Sequence, residues 1–342
     1  MQNTDNLKVK SPQETPRGDT PKRVNNTALV FGITGQDGSY MCELLLEKGW
    51  EVHGTMRRSS FPNTQRISEI IKSIRTHLMD LSDASSISKV IAEVKPDLIF
   101  NLAAMSDVRA SYDIPLYTGD VTGLGFARIL EACRQFVPDA LIYQAGSSEM
   151  FGKVQTVPQN ENTPFYPRSP YGCAKVYAFS IGRSYRESYG MKVFNGILFN
   201  HESPRRGELF VTKKVVKAAV EIKLGKRLRL SLGNLNSKRD WGYSRDYMEA
   251  IYQFVTTQEP QDFVVATGET HSVEEFVKET FEYLSLDDWK KYVDFDDNLM
   301  RPAEVDLLLG DASKIKRLTG WEPKVKFLDL VHLMVDHEIG NN

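Results

Sequence analysis

The chain has 342 residues, 41% of them hydrophobic, and a formal charge of −2. That length suits about two domains, or one large α/β domain with an appended part, and the apolar content can fill a core. The near-neutral balance argues against a nucleic-acid partner, because a phosphate-binding face needs clustered basic charge. No apolar run reaches the ~18 residues of a membrane span. Cys42, Cys133 and Cys173 are too scattered for a disulfide framework or a C-x-x-C metal pair. A reducing, cytoplasmic setting without a metal is expected.

Residues 1–26 are polar and lack an apolar h-region, which predicts a disordered tail and no signal peptide. From Thr27 on, strand and helix patterns alternate. Strands are expected at Ala28–Phe31, Trp50–Met56, Thr76–Met79, Asp97–Leu102, Ala140–Gln144 and Lys192–Phe199. Helices are expected at Ser39–Lys48 (closed by Gly49), at Ala84–Val94, within Pro115–Phe136 and at Tyr171–Tyr189. Such alternation predicts an α/β fold with a doubly wound parallel (Rossmann) sheet, ligands lying at the carboxyl ends of its strands. After Asn200 the rhythm changes to a polar loop at 201–207, a helix at Phe210–Leu224, a strand at Leu228–Leu232 and a helix at Ser244–Thr256. The apolar strand Phe263–Ala266 is expected to rejoin the main sheet, with Trp289 and Trp321 as packing residues.

The first strand runs into Gly32-Ile-Thr34-Gly35-Gln36-Asp37-Gly38. In this G-x-x-G-x-x-G turn, glycines let the backbone approach a pyrophosphate, and the following helix end offers free N–H groups. A strand before and a helix after make an ordinary tight turn the weaker reading. Arg57, Arg58 and Ser59 follow the second strand, where a fold that takes NAD usually has an acid. Arginines suit a 2′-phosphate, so NADP is favoured, the alternative being solvated arginines or a contact to another subunit. Asp80 and Leu81 stand where an adenine edge could be read, although a lone Asp there is more often a helix cap. Leu102, Ala103, Ala104 and Ser106 would let the backbone run beside a cofactor.

Tyr171 and Lys175 form a Y-x-x-x-K spacing, which puts both on one face of a helix. An ammonium and a cationic nicotinamide would lower the phenol from its usual ~10, so that Tyr171 could take a hydroxyl proton as hydride leaves. Ser147 and Glu149 end the fifth strand, at the ligand crevice. Simple alcohol oxidation needs a hydroxyl and the Tyr but no carboxylate. Glu149 therefore points to a second proton transfer, against the plainer reading of a turn cap.

Together these features resemble the extended short-chain dehydrogenase/reductase superfamily. More closely, the segments from Gly32 to Tyr40, Thr163 to Gly172, Asn200 to Glu208, Arg239 to Gly242 and Arg301 to Val305 resemble the GDP-mannose 4,6-dehydratase family, over about residues 27–335. The resemblance implies a catalytic set of Ser147, Glu149, Tyr171 and Lys175, and cofactor contacts from Tyr117, His201 and Arg206. It implies that Asn200, Lys214, Arg239, Arg301 and Glu304 hold a GDP-linked sugar, beside Ser106 and Asp107. It also implies a homo-oligomer, a tetramer or dimer, with the Arg57–Arg58 loop near a neighbour's cofactor.

The implied domains are 27–200 with about 243–270 for NADP, and 201–242 with 271–342 as a smaller α/β unit for the sugar nucleotide. Two departures stand out. Asp107 replaces the family's usual His, and Ser147 its usual Thr. The first makes a GDP-manno-heptose a credible substrate beside GDP-mannose, or else Asp107 is only a helix cap. The implied reaction oxidises C4, eliminates water across C5–C6 and returns hydride to C6, on tightly bound NADP regenerated at each turnover. A sugar-nucleotide epimerase or reductase on the same fold would need no Glu149. A non-catalytic NADP-binding protein would need none of the set.

Overall fold

The computed structural model describes residues 26–61 and 63–341. Apart from Asn26, the expected tail lies outside them. Six strands come first: β1 (Thr27–Phe31), β2 (Glu51–Met56), β3 (Arg75–Leu78), β4 (Leu98–Asn101), β5 (Leu141–Ala145) and β6 (Lys192–Leu198). Short strands follow as β7 (Asn200–Glu202), β8 (Leu230–Leu232), β9 (Lys238–Arg239) and β10 (Trp241–Tyr243), then β11 (Asp262–Val265), β12 (His271–Ser272) and β13 (Val293–Phe295). The main sheet runs β3-β2-β1-β4-β5-β6-β11, every neighbouring pair parallel. This is the doubly wound sheet, and the strand at 262–265 rejoins it as expected. The order reverses between β1 and β4, where crossovers to opposite faces open a crevice.

Strand β1 reads Thr-Ala-Leu-Val-Phe and is buried throughout, as a strand covered on both faces must be. Helix α1 (Gln36–Glu47) closes at Gly49, whose φ of 79° suits a C′ glycine. It starts earlier than Ser39 because the glycine turn feeds straight into its first turn. Asp83 caps α2 (Ala84–Val94) through Ser85 N. The helix expected within 115–136 is found in the second half of that segment, with shorter helical turns before it. Helix α3 (Val108–Asp113) precedes α4 (Pro115–Thr118), a π turn at Gly119–Leu124, then α5 (Gly125–Phe136). In α6 (Pro170–Tyr189), Ser169 caps the start, Pro170 fills the first position and Gly190 at φ 66° ends it.

One sheet face packs on α1 and on α8 (Ser244–Thr257) through Phe100, Tyr143, Phe194, Phe254 and Phe263. The other packs on α2, α5 and α6 through Leu29, Phe31, Ile91, Ile129 and Leu130. A separate core joins α7 (Val211–Lys223), α9 (Val273–Tyr283) and α11 (Phe327–Gly340) around Trp241, which stacks on Phe327 at 17°. Burying each such large side chain stabilises by about 1.5–3 kcal/mol. Ile315, in α10 (Ser313–Thr319), and Trp321 fold back onto the sheet layer, and Trp321 Nε1 donates to Asp246 O at 3.2 Å. Trp289 packs at the edge of the separate core.

Candidate active site

A cavity of about 570 Å³ lies over the carboxyl ends of β1, β4, β5 and β6 and is roofed by the α7–α9 part. On its sheet side the chain turns at Gly32, with φ 86°. A Cβ there would sit 3.0 Å from Ala103 Cα, and one at Gly38 would collide with Gly32 O. Helix α1 begins with Gly35 as N-cap and no side-chain cap, so its first N–H groups face the cavity beside Thr34, Gln36, Asp37 and Gly38. That is the arrangement a diphosphate requires, and the residues present fit a dinucleotide.

The loop after β6 is stitched to this turn. Gln36 Nε2 donates to His201 O at 3.1 Å, Ser203 Oγ donates to Gln36 Oε1 at 2.8 Å, and Arg205 NH1 donates to Ser39 Oγ at 3.0 Å. Asp37 Oδ2 lies 2.9 Å from His201 Nε2, and Asp37 Oδ1 accepts from Ser244 Oγ at 2.8 Å. Burial alone would raise Asp37, but the His201 charge and these hydrogen bonds outweigh it and hold the carboxyl well below its usual range. Burial would likewise lower His201, and the Asp37 charge turns the balance upward.

Leu102, Ala104 and Ser106 line the cavity, whereas Gly32 and Ala103 lie just behind its wall. Four candidates lie on an exposed rim outside it. Arg57 NH1 donates to Tyr117 OH at 2.6 Å, and Arg58 NH1 to Ser59 O at 2.6 Å. Asp80 Oδ1 accepts from Ser82 N and Oγ, so it orders its own turn, and the α2 cap is Asp83 instead. Leu81 packs into the core, its carbonyl taken by Arg128 at 2.9 Å.

The catalytic candidates do converge. Tyr171 and Lys175 both lie buried on the first turns of α6. Lys175 Nζ donates to Ala145 O at 2.7 Å and lies 5.7 Å from the Tyr171 ring centroid. Ser147 hydrogen-bonds Tyr171 and also accepts from Glu149 N at 3.2 Å. The expected lowering of the phenol requires the nicotinamide charge as well as Lys175, because burial acts against it. Burial pushes Tyr171 up to about 12 against the Ser147 hydrogen bond, and burial brings Lys175 down to about 8. Glu149 lines the cavity, and Arg301 NH1 donates to its Oε1 at 3.2 Å.

The roof supplies cations. Arg239 donates to Val305 O at 2.7 Å and meets Glu304 Oε1 at 3.4 Å, and Arg301 lies 3.9 Å from the same oxygen. Lys214 Nζ donates to Ser231 O at 2.8 Å. Arg206 stacks on Phe210 at 3.7 Å, with Nε 2.9 Å from Glu202 but outside hydrogen-bond geometry, an ion pair without a directed bond. Asn200 lines the cavity at the β7–β10 pairing. Asp107 caps α3, accepting from Ala110 N at 2.9 Å, while also lining the cavity.

Sequence reasoning missed Arg66. Its Nε donates to Arg205 O at 2.7 Å and NH1 to Thr34 O at 3.1 Å, with no carboxylate in ion-pair reach among the described residues. It follows a segment without helix or strand periodicity, so only charge hinted at it. Also missed were Arg109 and Phe210 on the cavity wall.

A doubly wound sheet with this glycine turn and a Tyr-x-x-x-Lys pair at the strand ends defines a short-chain dehydrogenase/reductase-type enzyme of the Rossmann class. The solved UDP-glucose 4-epimerase of Thermus thermophilus, in complex with NAD, superposes with a TM-score of 0.82 at 25% identity, over 92% of this chain and 100% of that one. GDP-mannose 4,6 dehydratase 2 of Arabidopsis thaliana is 49% identical over 98% of this chain and 92% of its own length. The human GDP-mannose 4,6 dehydratase is 47% identical over 92% and 91%. The GDP-mannose 4,6 dehydratase family model matches residues 29–334, and the chain belongs to that family of enzymes, which remove water from a sugar nucleotide. No described helix is long and apolar enough to cross a membrane.

Proposed function

We propose that the chain is an NADP-dependent GDP-sugar 4,6-dehydratase that acts on GDP-mannose or a GDP-manno-heptose. One observation carries this reading: a cavity-facing carboxylate, Glu149, stands beside Ser147 and Tyr171 and is held by Arg301. Tyr171 takes the C4 hydroxyl proton, with Ser147 steadying the oxygen and Lys175 the charge. Glu149 then removes the C5 proton, now acidified by the C4 ketone, and protonates the departing C6 hydroxyl so that water leaves. A nicotinamide held at the 35–38 turn beside Tyr171 and Lys175 would supply the hydride acceptor for C4 and donor for C6, and its positive charge would lower the buried phenol. The proton that Tyr171 took from the C4 hydroxyl balances the one returned to C5, which completes a reaction without net redox. Fixed placement of Tyr171 and Glu149 about one sugar ring is an orientation effect.

In this reading, 27–200 with 243–270 hold the cofactor, and 201–242 with 271–342 hold the GDP-sugar through Asn200, Lys214, Arg239, Arg301 and Glu304. The Arg57–Tyr117 rim suits a 2′-phosphate or a neighbouring subunit's cofactor, in a cytoplasmic homo-oligomer. The test is incubation with GDP-mannose and a GDP-manno-heptose, side by side, without added NADPH. Mass spectrometry should show loss of one water from at least one of them. An isomer of unchanged mass would instead make the chain an epimerase.

A further inference from the structure

The contacts of the His201 ring call for its charged form. Nδ1 lies 2.7 Å from Phe199 O, which can only accept. Nε2 lies 2.9 Å from Asp37 Oδ2, and the other oxygen of that carboxylate already accepts from Ser244 Oγ and Gln36 Nε2. Two acceptors facing two ring nitrogens require two N–H groups, the imidazolium. Such a ring has no lone pair with which to take a proton from a substrate.

Asp37 is the second residue of α1, whose N-terminus faces the cavity. A bare carboxylate there would occupy the electrostatic place of an anionic ligand and repel it. Around the pair stand Arg206 from the same loop, Tyr247 from α8 with its ring 4.9 Å from His201, and three groups that feel the Asp37 charge, Tyr143, Tyr171 and Lys175.

We propose that His201 is a positioning residue that is an imidazolium at neutral pH, neutralises Asp37 and so leaves the start of α1 free to take the diphosphate of a nicotinamide dinucleotide. The inference rests on the cofactor reading above. It differs from a direct contact because His201 acts through Asp37.

The test uses cofactor-stripped full-length protein and NADPH as the probe, with affinity read by fluorescence from pH 6 to 9. In the wild type, affinity falls as pH rises through the His201 titration, which lies above the usual histidine range. His201→Gln weakens binding about tenfold at neutral pH and removes that dependence. Adding Asp37→Asn to His201→Gln restores most of the loss. A single variant that binds like wild type across the range overturns the proposal. So does a double variant no tighter than the single one, which would make His201 a direct ligand. Nitrogen-15 NMR of labelled histidine in the ligand-free protein reads the charge separately: two protonated ring nitrogens at neutral pH are expected, and a neutral tautomer overturns the proposal even if cofactor binds. A wild type that binds no dinucleotide while His201 remains doubly protonated overturns the functional reading instead.

Discussion

The two walls of the cleft hold their polar groups by different means. On the sheet side the backbone does most of the holding. Gly32 and Gly38 set the turn by close approach, Lys175 is anchored to Ala145 O, and Ser147 sits at a strand end. On the roof, charged side chains hold one another: Glu304 faces both Arg239 and Arg301, and Arg301 reaches across to Glu149. The first arrangement is rigid before any ligand arrives. The second is a charge network that a ligand diphosphate can enter by displacing a carboxylate, because desolvation of such largely buried pairs offsets much of their attraction. Glu149 belongs to both, borne by the sheet and held from the roof.

The sharpest break is at that seam. Glu149→Gln should lower turnover by about 10²–10⁴-fold, the usual worth of a positioned acid–base group, while NADPH binding stays as in the wild type. Single-turnover product analysis beside a cofactor titration checks it, and a joint loss of binding would show that the walls are not separable. Next in size, Arg301→Met should raise KM for the GDP-sugar about 10–100-fold, by loss of a charge-assisted contact, and should also lower kcat because it frees Glu149. Steady-state kinetics separate the two effects.

A smaller effect is set by pH. Burial brings Lys175 down to about 8. The ammonium is present below that value and lost above it, so kcat/KM should fall as pH rises through about 8. Lys175→Met should be slow throughout and lack that limb. The smallest effect concerns Asp107. Asp107→Ala should cost about 1 kcal/mol as a lost helix cap, and Asp107→Asn almost nothing, by thermal unfolding. If Asp107→Asn also changes the preference between GDP-mannose and the heptose, the residue reads the sugar as well.

Legibility in the sequence followed the same division. The glycine turn, the strand ends carrying Leu102, Ser147 and Asn200, and the Tyr171–Lys175 spacing are short contiguous signals, and each lies where periodicity places it. The π turn at Gly119–Leu124 was not legible, since one extra residue in a helical turn leaves the apolar pattern nearly intact. Asp80 orders its own turn because Ser82, two residues on, donates to it, whereas Leu81 is core because it packs under α2 and α5, with Arg128 on its carbonyl from 47 residues away. Spacing places Lys175 near Tyr171 but does not reveal how deeply both are buried, which pushes the phenol up against the charges that would lower it.

By itself the sequence determined the doubly wound class of fold and the glycine turn, since these depend on local backbone geometry and on the repeat of buried strands, and its long motifs carried the family resemblance. Only the tertiary structure decided that Arg301 grips Glu149 across 152 residues and that His201 meets Asp37 across 164. Crossovers bring such partners together. Their protonation follows from burial and distance, neither of which is carried by position along the chain.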